Sequence, residues 1–433
     1  MVHTPRLNRP TIIFSTVAIA LLIALQLIYS TTSAATFTVT NTDDTGPGSL
    51  RQAITDTLTS PGSDRITFDP ALDGKTITLA SGRLTLVEGI SIDASNLENK
   101  ITVSGNYQSK IFHVSSGASV TLTNLTLISG TAQLGGGSCE NACGGAIYSD
   151  IDTNVLVIDS EVMGNLASGG GGIFNGGTMH ISGTIVTGNV ANFEGGGIHN
   201  EGAMTITQSS IISNSTDTES LFSGGGGIYN GGFNDLLVEN STIAHNSAHN
   251  NGGGFYLAGG FQFTSSIRIV NSTISENSAN SSGGGIFSTA NSTSTVQITL
   301  VHNTIFNNSG SGFHAETDAS SQIQTQIQNT IIASSSDANC VAVTGDVSNV
   351  SNDKTCIGFK TGDPQLAPLA DNGGATLTHA LLPNSQAFSL GNPAVCEQYP
   401  TDQRGVSRSA EACDAGSGEF LDTFIAHMPF INR

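Results

Sequence analysis

The chain has 433 residues, of which 52 are glycine and none is tryptophan; only 11% are charged, and the formal charge is −20. That balance excludes a nucleic-acid binder, which needs Lys and Arg to neutralise phosphates, and argues against anionic membranes and anionic glycans as partners. Apolar residues recur regularly and mean hydropathy is near zero, so the chain is not of the disordered class; its abundant Gly, Asn, Ser and Thr suit short stacked strands joined by tight turns.

Residues 1–35 read as an export signal. Arg6 and Arg9 precede an almost wholly apolar run over residues 11–29, and Ser33-Ala34-Ala35 offers small residues for cleavage. The run is near spanning length, so an uncleaved anchor stays open beside cleavage. On either reading the rest of the chain is extracellular or on the cell surface, and this segment or an anchoring step is its expected contact with a membrane. Export favours oxidised cysteines, and the six form three local pairs: Cys139/Cys143, Cys340/Cys356 and Cys396/Cys413. No His or Cys cluster completes four ligands at the first pair, so a disulfide is expected there, and neither metal nor cofactor is expected anywhere.

Residues 36–74 are expected to cap one end of a repetitive region. Thr36-Phe37-Thr38-Val39-Thr40 alternates like a strand, and Ser49-Leu50-Arg51-Gln52 reads as a capping box opening a helix to about Leu58, with Leu50, Ile54 and Leu58 on one face.

Residues 75–361 are that repetitive region. Glycine runs lead to an apolar residue and then an aromatic or His, with the apolar positions at Ile147, Ile173, Ile198, Ile228, Phe255, Ile286 and Phe313, 25–31 residues apart. A nine-residue unit comes next in each repeat. It starts at Val157, Ile181, Ile206, Val238, Ile269, Leu300 and Ile327, and its sixth position is Val162, Val186, Ile211, Ile243, Ile274, Ile305 and Ile332. Its ninth position is Asn165, Asn189, Asn214, Asn246, Asn277 and Asn308. Equivalent residues of stacked coils lie about 4.8 Å apart, so these columns predict an all-β right-handed parallel β-helix solenoid, with an apolar interior and a structural Asn ladder at a turn. The coils resemble the pectin-lyase-like superfamily, and Gly144-Gly145-Ala146-Ile147 paired with a later apolar-x-x-Asn resembles polymorphic outer-membrane protein repeats.

The residue after each apolar anchor makes a further column: Tyr148, Phe174, His199, Tyr229, Tyr256, Phe287 and His314. Alternation turns it outward, where two readings stand, a sugar-binding row or a ladder packed on itself. Asn175, Asn200 and Asn230 form a short turn column beside it. The acids do not recur at one repeat position as a stacked catalytic pair would. Glu194 and Glu201, flanking His199 on opposite sides, are the best loose pair for catalysis, and no stacked catalytic set is evident. Arg268 is the one Lys or Arg between Lys110 and Lys354; it falls on an outward strand position and is expected to be solvated.

Residues 362–419 change composition. Asp363-Pro364, Leu369-Ala370-Asp371-Asn372-Gly373-Gly374, Thr378-His379-Ala380-Leu381-Leu382-Pro383, Asp402-Gln403-Arg404-Gly405 and Cys413-Asp414 occur in order. This region resembles the choice-of-anchor Q domain of exported bacterial proteins and is expected to form a C-terminal cap region; Asp402 and Arg404 are expected to form an ion pair fixing the loop closed by Cys396 and Cys413, with a catalytic role as the alternative. Gly48-Ser49-Leu50-Arg51-Gln52-Ala53-Ile54 likewise resembles the Ser-Leu-Arg-Glu-Ala-Ile motif of secreted bacterial β-helix proteins. Residues 420–433 are either an anchoring signal or a plain tail. The resulting expectation is a monomeric surface protein with a structural or adhesive role, meeting glycans or cell-envelope components. A carbohydrate-active enzyme (polysaccharide lyase or glycoside hydrolase) or a glycan-binding module on the same scaffold is the alternative.

Overall fold

The computed structural model describes residues 34–60, 62–133, 139–217, 224–231 and 235–421. The export signal expected over residues 1–35 lies outside them except for Ala34 and Ala35, and so does the tail except for Phe420 and Leu421.

Each coil runs through three main strands, such as Ile147–Ser149, Asn154–Ile158 and Glu161–Met163, and five coils among the described residues add a fourth, such as Leu166–Gly169, in a smaller parallel sheet. Equivalent strands of successive coils pair in parallel, which among the described residues gives an aromatic-bearing sheet of ten strands, a long sheet of eleven and a third sheet of twelve. The apolar columns explain this closure. Ile147, Ile173, Ile198, Ile228, Phe255, Ile286 and Phe313 stand in register and are fully buried. They join the inward residues of the other two sheets in one continuous core. The chain is a parallel β-helix.

Polar residues hold the corners. The Asn189 amide NH₂ donates to Asn214 Oδ1 at 2.9 Å and to the Val162 carbonyl at 2.9 Å, and its backbone N–H reaches the same Oδ1 at 3.0 Å. Asn165, Asn214, Asn246 and Asn277 make the same bonds to their neighbours, and Asn308 ends the run by donating to the Ile274 carbonyl. The glycine runs beyond each ladder Asn turn the chain tightly: Gly195 has φ +64°, and a Cβ there would lie 2.1 Å from the Ile198 carbonyl oxygen.

At the N-terminal end Ser49 accepts from Gln52 N–H and opens the helix Leu50–Thr57, which buries Leu50, Ala53 and Ile54. Leu58 is the C-cap and is 53% exposed, so it does not extend the covering face as its spacing suggested. At the other end the region after residue 361 does more than close the solenoid. It runs alongside the third sheet. Gln403 donates to the Ser241 carbonyl at 3.2 Å and accepts from Thr273 Oγ1 at 2.7 Å, while Ser417 N–H donates to Thr304 Oγ1 at 2.9 Å. Three disulfides join Cys139 to Cys143, Cys340 to Cys356 and Cys396 to Cys413.

Candidate functional site

The column beginning at Tyr148 runs up the outer side of the aromatic-bearing sheet, because each ring comes one position after an inward residue. His113 extends it by one coil below Tyr148. From His113 to His314 the ring centroids are 4.7–5.4 Å apart. Tyr148 and Phe174 lie 10° from parallel, and Tyr229 and Tyr256 lie 25° from parallel. Tyr148, Phe174, His199 and Phe287 are buried, whereas Tyr229, Tyr256 and His314 are half-buried. The other ring contacts are tilted or edge-on, so the column packs on itself, and its buried rings offer no free face, which sugar stacking needs.

Burial has electrostatic consequences along the column. It raises the phenol of Tyr148 well above the usual range, with Asp150 adding to the effect, and it does the same to Tyr229, where Glu194 adds. The Tyr256 phenol is pushed up to about 12. Lys110 sits over the Tyr148 ring at 4.4 Å from its centroid and donates to the carbonyls of Glu140 and Cys143. Desolvation first, and the nearby Arg83 charge second, lower its ammonium to about 7.

Glu194, His199 and Glu201 do come together. His199 is 4% exposed, with Nε2 3.3 Å from Glu201 Oε1 and Nδ1 3.7 Å from Glu194 Oε2. At that distance Nδ1 has no hydrogen-bond partner among the described residues. The two carboxylates therefore flank one imidazole instead of facing each other. Burial raises the Glu194 carboxyl, and the hydrogen bond with His199 lowers that of Glu201. Asn175, Asn200 and Asn230 are fully buried beside the column, each of the first two donating to the next at 2.7 Å.

Three features escaped the sequence reading. The first is a second polar ladder, in which Ser160, Thr184, Ser209, Ser241 and Ser272 each accept from the backbone N–H of the coil before, and Asn303 and Thr330 continue the series. A signal existed, since each of the first six stands five residues before a ladder Asn. The second is the setting of Arg268. It points outward as expected, yet it is not free in solvent: it donates to the Tyr399 hydroxyl and lines a groove of about 330 Å³ with Thr205, Asp235 and Ser266. Nothing local predicts a partner 131 residues away. The third is His302, which lies with Cys396 and Cys413 at metal-ligand separations, although the two sulfurs are bonded to each other. Asp402 and Arg404 pair at 2.6 Å and are buried, with Glu419 N–H also donating to Asp402 Oδ2.

A family model described as right handed beta helix region matches residues 145–332. No curated protein matches the chain. Among solved structures, the crystal structure of pectate lyase Pel9A is 16% identical with a TM-score of 0.51, and the alignment covers 90% of this chain and 98% of that one. The Dettilon tailspike protein is 16% identical over 73% of this chain and 65% of its own, with a TM-score of 0.37. The major allergen from cedar pollen is 11% identical over 78% and 82%, with a TM-score of 0.35. At such identities the pectate lyase likeness shows the right-handed β-helix fold and nothing about activity.

Proposed function

We propose that the chain is an exported, extracellular or cell-surface β-helix with a structural or adhesive role. The observation that carries this reading is the use of the aromatic column: the rings pack on one another, 4.7–5.4 Å apart, two pairs stacked and the others tilted or edge-on, and Tyr148, Phe174, His199 and Phe287 are buried instead of being offered to a ligand. Three disulfides support an oxidising compartment. The resemblance of residues 362–419 to choice-of-anchor Q domains, and of the coils to polymorphic outer-membrane repeats, belongs to the same reading; glycans or envelope components are the partners such a surface would meet. Folded, oxidised protein incubated with neutral and acidic polysaccharides, with and without calcium, is expected to release no reducing ends and no unsaturated products. Replacing Tyr229 and Tyr256 with Ala is expected to leave glycan binding unchanged.

One observation favours a second reading, a glycoside hydrolase acting on a neutral polysaccharide. Glu194 and Glu201 are displaced in opposite directions around His199, the division of labour a general acid and a general base require. Retaining pairs stand roughly 5 Å apart and inverting pairs roughly 6.5–9.5 Å, so the anomeric configuration of the released sugar reports the separation at which such a pair works. Sugar release that disappears in both Glu194→Gln and Glu201→Gln, with the folded state intact, would overturn the scaffold reading in its favour.

A further inference from the structure

The last strand of the long sheet, Gln322–Gln328, pairs with Thr295–Val301 on one side only among the described residues. The coil above it is too short to cover it. On the neighbouring sheet Cys340–Val341 pairs with Phe313 and His314 and, among the described residues, leaves Ala315, Glu316 and Thr317 without an upper strand partner. The chain then moves to Val343, which is fully buried, and to Thr344, whose carbonyl meets Thr325 Oγ1 at 3.4 Å. What remains is a step with a recess of about 350 Å³, lined by Ala315, Thr317, Ser321, Gln322, Ile323 and Gln324. Gln322 and Gln324 are exposed there, and Ile323, an inward residue packed on the core, stays only partly covered. An open row of backbone N–H and C=O groups takes another extended strand.

The residues at this edge say which strand. Ser321-Gln322-Ile323-Gln324-Thr325 reads hydroxyl, Gln, Ile, Gln, hydroxyl in both directions. An antiparallel copy centred on Ile323 sets Ile against Ile on the core side and Gln against Gln on the outer side, and it matches hydroxyl to hydroxyl at the ends. The outer amides already run as a ladder toward this edge, Gln297 Nε2 donating to Gln324 Oε1 at 3.3 Å, and a second copy's Gln322 would continue it. We propose that the Ser321–Thr325 edge is an isologous interface through which two copies of this chain join end to end about a two-fold axis. This departs from the single-chain expectation, and it does not depend on whether the aromatic column or Glu194 has any activity.

Sedimentation equilibrium of the purified full chain over a concentration series tests it. A monomer–dimer equilibrium is expected for the native protein. Ile323→Lys, which sets two like charges against each other at the axis, is expected to weaken the dimer at least tenfold with its circular dichroism unchanged. Should that variant misfold, Ile323→Cys decides the matter: oxidation should trap a covalent dimer, whereas Gln208→Cys, on an exposed turn elsewhere, should not. Monomer at every concentration, open-ended growth in place of a dimer, or a dimer indifferent to both substitutions at Ile323 would overturn the proposal.

Discussion

Lys110 shows what one residue costs in a solenoid with so few charges. Its ammonium is shielded by two carbonyls and the Tyr148 ring, yet burial pulls it down to about 7, against 10.5 in an unfolded chain. Between those values the unfolded state binds more protons than the folded one, so stability rises with pH across this window; below about 7 the full cost of burying the charge is present. The slope approaches about 1.4 kcal/mol per pH unit in mid-window. Urea denaturation from pH 7 to 10 is expected to show this rise, and Lys110→Met is expected to flatten it. Above pH 10 the trend reverses, because Tyr148, Tyr229 and Tyr256 ionise more readily unfolded than folded. A native protein whose midpoint falls steadily from pH 7 upward would refute the assignment. The ladder Asn residues belong to the same scale and were legible because the amide is needed at one repeat position. An Asn side chain both accepts from the preceding coil's backbone N–H and donates to the next coil's Asn, and few residues do both from so short a stem. The ladder of Ser160, Thr184 and Ser209 was less legible because accepting one N–H and donating to one nearby carbonyl suffices there, and Ser, Thr and Asn all do that.

At the scale of elements, the region after residue 361 is a strap along the third sheet. Part of its contact is polar, Thr242, Thr273, Ser275 and Thr304 facing Gln403, His379 and Ser417 across a buried seam, and part is apolar, Ile331, Ala333 and Val350 packing with Leu381, Ala387 and Ala415. Gln403 is the central member, its amide reaching Ser241, Thr242, Thr273 and Thr376. Gln403→Ala removes the amide's bonds to these groups, each of which keeps a second partner (Thr242 with the Leu377 carbonyl, Thr273 with Ser417, Thr376 with the Asn240 carbonyl, the Ser241 carbonyl with Thr273 N–H). The loss is therefore about 0.5–1.5 kcal/mol per bond. Limited proteolysis is expected to cut this variant within residues 362–421 well before the coils are touched; a variant as resistant as the native chain would mean that the seam does not hold the strap. The motifs of this region were readable in the sequence, but its place was not. A row of Thr and Ser on an outward strand face suits solvent as well as it suits a polar strap, and contacts between residues some 130 apart leave no periodic trace.

The molecule as a whole behaves as its coils and their neighbours dictate. Periodicity made the fold readable because every coil repeats one solution to burying apolar residues. What breaks the repeat, the ends above all, was not readable, since a column shows where a coil stands and not where the stack is left incomplete. The last coil is the thinnest. Its strand Cys340–Val341 has two residues, Val350–Ser351 has two, and the disulfide from Cys340 to Cys356 ties the segment together. Closing a loop of that size contributes about 3 kcal/mol in the chain-entropy account. In a stack of nearest-neighbour contacts that contribution stays local. Replacing both Cys340 and Cys356 with Ser is therefore expected to strip hydrogen-exchange protection from residues 334–361 while leaving Ile147, Ile198 and Ile243 and their strands as protected as before. Loss of protection spreading evenly down to the coil of Ile147 would mean instead that the stack melts as one unit, with its stability set by the whole rod and not by each coil's grip on the next.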